Sequence, residues 1–324
     1  MSNNINQYLE SKSNPSKNSE LDLNSNRKKG LNKLVIFAWI PMLLASSLTL
    51  IFWREFSSGE PFWWPWVVAV SLIIFLLLSF IISKLKSLRK FYTILIIIFF
   101  VGFGGGWQWG LIPFIRDSLI WNLWLDSLPW AFSSIMIHIL RLSPAILVLV
   151  YLTLLGRKRQ DYFLIKGNIK ALVEPSKLLG MKEPEPWTRI GSIFAVIFAV
   201  GTLIFLIFTT LPTLETFVNA VPLIPVALLI ATINAFNEEF TLRAAPLSEL
   251  WQELGKKQAL LITTIYFGLG HYYGVPNGII GVLLSAFLGW FIGKSLLETK
   301  GFFWAWFLHF ASDAIIFTFY AMSI

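Results

Sequence analysis

The sequence predicts an all-α, polytopic integral membrane protein of about nine transmembrane helices, and three observations carry that prediction. Hydrophobic residues make up 56% of the chain and charged ones only 14%, a balance that excludes an ordinary soluble globule. Several apolar runs reach about 20 residues, the length a helix needs to cross a bilayer. Lys and Arg collect between alternate runs, as the positive-inside rule requires. Helix-on-helix packing is the architecture that satisfies the backbone groups of so many long apolar runs. Cysteine is absent, which excludes disulfides, thiolate metal ligands and cysteine nucleophiles. The net charge of +8 sits between the apolar runs, so the expected partner is the lipid bilayer and not a nucleic acid.

Three regions are expected. Residues 1–33 are rich in Asn, Ser and Lys without apolar periodicity and read as a disordered cytoplasmic tail. This polar opening and the long first apolar run argue against a removable signal peptide. Residues 34–189 hold the N-terminal transmembrane helices and a cytoplasmic loop, and residues 190–324 hold the core that carries the chemistry. The expected spans are 34–53, 62–82, 91–113, 129–155, 190–210, 221 into the Glu-Glu stretch at 238–239, 258–273, 279–297 and 302–323. Trp63, Trp64 and Trp66 open the second span as an interfacial aromatic cluster. Gly102, Gly104, Gly105 and Gly106 weaken the third. Residues 116–127 read as an amphipathic interfacial piece. The fourth span is interrupted by His138, Arg141 and Pro144; like charges one turn apart argue against a metal site, so His138 and Arg141 read as structural.

With the N-terminus cytoplasmic, the basic residues Lys84, Lys86, Arg89, Lys90, those of the 156–189 loop, Lys256, Lys257, Lys294 and Lys300 fall inside. Arg54, Arg116 and Arg141 then fall outside. The expected location is a multi-pass protein of a bacterial plasma membrane. Gly281, Ser285, Gly289 and Gly293 recur every four residues in the eighth span, a small-residue face that lets a neighbouring backbone approach.

The chemistry is expected around Glu238, Glu239 and Arg243. Two carboxylates and a guanidinium at the end of an apolar run cost several kcal/mol, about 2.5–3.5 for one such charge at a helix centre on insertion scales, and mark a functional site by default. Glu239 and Arg243 lie four apart and can pair on one helix face. Glu238 is rotated from Glu239 by about 100°, and Asn234, one turn earlier, can orient it. His271 ends the seventh span, and His309 and Asp313 share a face of the ninth. Grouped around a hydrated cavity, these residues suit a water-activating site. Glu238 is the expected general base. His271 and His309 either ligate Zn2+, with Asp313 as a further ligand, or hydrogen-bond a developing oxyanion in a metal-free mechanism. No His-Glu-x-x-His, Gly-x-Ser-x-Gly or Gly-x-x-x-x-Gly-Lys-[Ser/Thr] motif occurs. The last of these absences removes support for ATP-driven transport. Glu238 lies close to the inner face if its helix stops at Arg243, whereas His271 lies deep. A helix that continues towards Trp251, kinked near Pro246, reconciles the two.

The ordered set Glu238-Glu239-Phe240-Thr241-Leu242-Arg243, Phe267-Gly268-Leu269-Gly270-His271 and His309-Phe310-Ala311-Ser312-Asp313 resembles the three motifs of the CPBP intramembrane proteases. These are the CAAX-prenyl-protease-type, or Abi, family. The likeness covers residues from about 220 to 320, with a softer match at 161–168. It implies an intramembrane endopeptidase, of metallo- or glutamate type. Its substrate is a membrane-associated protein or peptide, lipidated ones included. In that family Glu238, Glu239, His271 and His309 fall at the catalytic positions, Arg243 supports Glu239, and Asp313 stands where Asn or Asp is accepted. Leu242-Arg243-Ala244 departs from the Phe-Arg-Gly of many bacterial relatives. Two other readings keep the same residues: a transporter or channel with a buried proton or ion path, and a non-catalytic membrane scaffold. Inverted repeat symmetry, the mark of many transporters, is not evident.

Overall fold

The computed structural model describes residues 33–57, 59–102 and 109–323. Residues 1–32 of the expected tail, and Gly104, Gly105 and Gly106, lie outside the described residues. Helices α1 (Lys33–Ala45) and α2 (Leu48–Phe56) follow one another with a bend of 51°. Then come α3 (Trp64–Ile81), α4 (Arg89–Val101), the short α5 (Leu111–Arg116) and α6 (Leu119–Asp126), and α7 (Trp130–Arg141) and α8 (Ser143–Leu154), which form one span broken at Leu142. After a polar loop come α9 (Trp187–Thr210), α10 (Leu214–Ala220) and α11 (Ile224–Glu239). The last four are α12 (Ala245–Leu254), α13 (Lys256–Gly270), α14 (Gly278–Thr299) and α15 (Phe303–Met322). The β structure among the described residues is one antiparallel pair, Leu172–Val173 with Glu185–Pro186, inside the polar loop.

Six helical stretches among the described residues are long and apolar enough to cross a membrane: 64–81, 130–154, 187–210, 214–254, 278–299 and 303–322. The bent pair α1–α2 makes a seventh if counted as one span. Two of the nine expected spans are shorter than hydropathy suggests. Helix α4 has 13 residues and α13 has 15, about 20 and 23 Å at 1.5 Å per residue, against a hydrocarbon core of about 30 Å. Helix α4 stops where Gly102 takes φ +83, a left-handed backbone that only glycine adopts freely. The chain is an integral membrane protein whose lipid-facing surface is lined by exposed apolar side chains such as Val70, Leu77, Val196, Val200 and Leu283.

Inside, α11 and α9 both pack along α15, α13 packs along α14, and α7 packs on α11. Gly268 stands where an added Cβ would lie 2.8 Å from Ala286 Cβ, and at Gly293 one would lie 2.5 Å from Leu260 Cδ1. The small-residue face of α14 thus brings α13 close. The N-terminal helices join the same buried core, with Met42, Leu72, Tyr92 and Val148 fully enclosed.

The polar loop is tied to one end of the bundle. Asn168 N–H donates to Thr299 O (2.8 Å) and Phe302 N–H to Ile165 O (2.7 Å). Trp187 Nε1 donates to Glu298 Oε2 (2.8 Å), and Arg157 pairs with Glu249 (3.0 Å). Lys90 also reaches Glu249 (3.8 Å), Lys256 reaches Glu174 (3.4 Å), and Lys300 lies over the Trp251 ring. These contacts gather the starts of α4, α9, α13 and α15 and the ends of α12 and α14 at one basic end.

Candidate active site

The helix that carries Glu238 does not stop at Arg243. A wide turn at Phe240–Ala244, in which Ala245 N–H donates to Phe240 O five residues back, leads directly into α12. Pro246 explains its place: its ring would meet the carbonyl of Leu242 in a regular helix, and it has no N–H to donate. Widening the preceding turn relieves both problems. Glu238 therefore sits near the middle of a helical stretch running from Leu214 to Leu254.

The two adjacent carboxylates have different partners. Glu239, fully buried, forms an ion pair with fully buried Arg243 and accepts from His309 Nδ1 at 2.6 Å. The Arg243 guanidinium lies 4.1 Å from the centre of the Phe267 ring, a cation–π contact. It is seated against Gly289, where an added Cβ would fall 2.9 Å from Nη2. The glycine stripe of α14 is thus also the floor under this guanidinium, and Ala244, next in the chain after Arg243, is fully buried.

Glu238 faces the other way. Asn234 Nδ2 donates both to Glu238 Oε1 (3.1 Å) and to Asp313 Oδ2 (2.9 Å), tying α11 to α15. Glu238 Oε2 lies 3.7 Å from His271 Nε2 and 3.8 Å from His309 Nε2. His309 Nε2 is also 3.5 Å from Asp313 Oδ1. His271 Nδ1 lies 2.9 Å from Phe267 O. A carbonyl only accepts, so Nδ1 carries the hydrogen and Nε2 of the neutral ring offers its lone pair towards Glu238. All seven residues expected from the sequence meet within one cluster.

Two residues read as structural in the sequence also meet there. Arg141 Nη2 is 3.5 Å from Glu238 Oε1, and its Nε is buried without a hydrogen-bond partner. His138, one turn earlier, donates from Nδ1 to Ser134 O (2.8 Å), rests edge-on against Phe317, and keeps a buried, unpartnered Nε2. The signal that finds them is the one that marks Glu238: a charged side chain inside an apolar span is a functional candidate. Like-charge spacing between His138 and Arg141 is a weak objection, because a neutral imidazole repels nothing.

By chemical type, His271, His309 and Asp313 suit Zn2+. As arranged, however, no group of three or more His, Cys, Asp or Glu side chains among the described residues is disposed to hold a metal ion.

Residues 220–315 match the family model described as type II CAAX prenyl endopeptidase Rce1-like. The matched segment contains Asn234, Glu238, Glu239, Arg243, His271, His309 and Asp313, and leaves out His138 and Arg141. Comparisons with curated proteins and with solved structures give no match.

Proposed function

We propose, from the premise that this chain is a member of the CPBP family of CAAX-type proteases, that it is an intramembrane endopeptidase in which Glu238 activates water. The observation that carries this reading is the orientation of one carboxylate oxygen, Glu238 Oε2, towards two imidazole Nε2 atoms at 3.7 and 3.8 Å. Those separations are too long for direct hydrogen bonds and are of a length at which a water can bridge the groups.

In the proposed reaction, His271 Nε2 accepts a hydrogen bond from the bound water and Glu238 takes its other proton. The water oxygen then attacks the scissile carbonyl carbon, and the carbonyl π electrons move onto its oxygen. His309, held through Nδ1 by Glu239, donates from Nε2 to that oxyanion in its doubly protonated form. The C–N bond then breaks, and Glu238 returns its proton to the leaving amine. Asn234 and Arg141 hold the other oxygen of Glu238. The Glu239–Arg243 pair fixes His309 and lies outside the reacting centre.

The proposed substrate is a membrane-associated protein or peptide, lipidated ones included. Zn2+ held by His271, His309 and Asp313 is a separate proposal, and no step above depends on it. The proposed setting is a bacterial plasma membrane with a cytoplasmic N-terminus. The test is cleavage of a panel of membrane-anchored and lipidated peptides by purified protein, compared with Glu238→Ala and His271→Ala, alongside metal analysis. Cleavage by wild type that is lost in both variants supports the reading. Cleavage that survives Glu238→Ala removes the glutamate from the mechanism.

A further inference from the structure

The geometry points to a catalytic site that opens on the face of the membrane opposite the basic loops, so that its substrate segment lies on the non-cytoplasmic side. Three observations converge. First, the bundle has one basic end, where Lys90, Arg157, Lys256 and Lys300 meet Glu249, Glu174 and Trp251. Positive charge concentrates in cytoplasmic loops, so this end faces the cytoplasm.

Second, His271 lies at the far end of α13, whose first residues are Lys256 and Lys257. Fifteen residues carry it about 23 Å away from the basic end. The chain then turns back in a tight loop, with Gly274 N–H donating to His271 O (2.9 Å) and Gly278 N–H to Tyr272 O (2.7 Å). Tyr273 in this loop donates to Glu55 (3.2 Å), and the Arg54 guanidinium lies over its ring. Arg54 and Glu55 end the first apolar stretch beside the packed rings of Trp53, Trp63 and Trp64, an aromatic group of the kind found at a membrane–water interface.

Third, exposure within the site is uneven. The His271 side chain is 23% exposed and that of Arg141 24%, against 10% for Glu238, 5% for His309 and 6% for Asp313. The open sides of the site are therefore those of His271, at the far end of α13, and of Arg141. Helix α13 is shorter than the hydrocarbon thickness, so its end, with His271, lies beneath that face.

The inference rests on the protease reading only for what reaches the site; the sidedness itself does not need catalysis. The matching substrate is a membrane-anchored or exported peptide segment cut on the non-cytoplasmic side.

The chain has no cysteine of its own, so single cysteines report directly. His271→Cys, Tyr273→Cys and, in the exposed part of the basic loop, Lys177→Cys are made in the full chain. Right-side-out spheroplasts are treated with a membrane-impermeant sulfonated maleimide, with and without permeabilisation. Labelling of Tyr273→Cys and His271→Cys in sealed spheroplasts, with labelling of Lys177→Cys lost unless they are permeabilised, supports the proposal. The reverse pattern overturns it. So does a His271→Cys that stays unlabelled on both sides while Tyr273→Cys reacts, since the site would then be closed to water from that face. Tyr273→Cys, away from the reacting atoms, keeps the test valid if His271→Cys fails to fold. A failure of the protease reading would instead appear as no cleavage by wild type with the labelling pattern intact.

Discussion

Glu238 and Glu298 are both buried carboxylates on membrane helices, and the difference between them separates a reactive group from a structural one. Glu298 is saturated: Lys294 forms an ion pair with it, Glu174 N–H donates to Oε1 (3.1 Å) and Trp187 Nε1 to Oε2 (2.8 Å). Glu238 has one close donor, Asn234, while Arg141, His271 and His309 stand off at 3.5–3.8 Å. A buried charge that keeps a full set of donors holds the fold together. One that is left short of donors is available to a water or a substrate.

Four substitutions break or sharpen that contrast. Glu238→Gln is expected to lower kcat by about 10²–10⁴-fold, the span of general-base contributions, while leaving the melting temperature in detergent unchanged. A large stability loss instead would make Glu238 structural. Glu298→Gln should do the opposite: it leaves the buried Lys294 unpaired, a loss of about 3–5 kcal/mol, read by thermal unfolding, with kcat of the folded protein preserved. Gly289→Ala drives a methyl against the Arg243 guanidinium and should destabilise by about 1–3 kcal/mol, as overpacking does. An unchanged melting curve would mean that the seat is not tight. Arg141→Gln is the smallest: about a tenfold loss in kcat with KM unchanged, a typical result of removing a partner that orients a reacting group. A rise in KM alone would assign Arg141 to substrate binding.

The i, i+4 pairs were legible because helical spacing sets them: Asn234 with Glu238, Glu239 with Arg243, His309 with Asp313. So was the continuation of the Glu238 helix towards Trp251, which Pro246 signals. The span count was less legible. Hydropathy counts apolar residues, but α4 is cut short by the backbone of Gly102 and α13 by the turn at His271. Hydropathy registers neither event. The contact of His309 with Glu239 was missed because it joins residues 70 positions apart, and no local period reports such a pairing. The approach of Arg141 to Glu238 was not legible for a different reason: Arg141 lies outside the motif-bearing stretch, on a helix whose polar residues had a simpler topological explanation.

The wide turn at Phe240–Ala244 also has a consequence for phase. An ordinary helix keeps one angular register from end to end, so a face chosen at Glu238 would predict which residues of α12 point the same way. Here the register slips by one residue, about 100° of rotation, between the reacting carboxylate and Glu249, which is turned to Arg157 and Lys90 at the basic end. The turn works as a phase shifter: it lets one continuous helix serve two faces, the site above and the loop anchor below. Deleting one residue from 240–244 would bring the two segments into register, and either the site or the anchor would be lost.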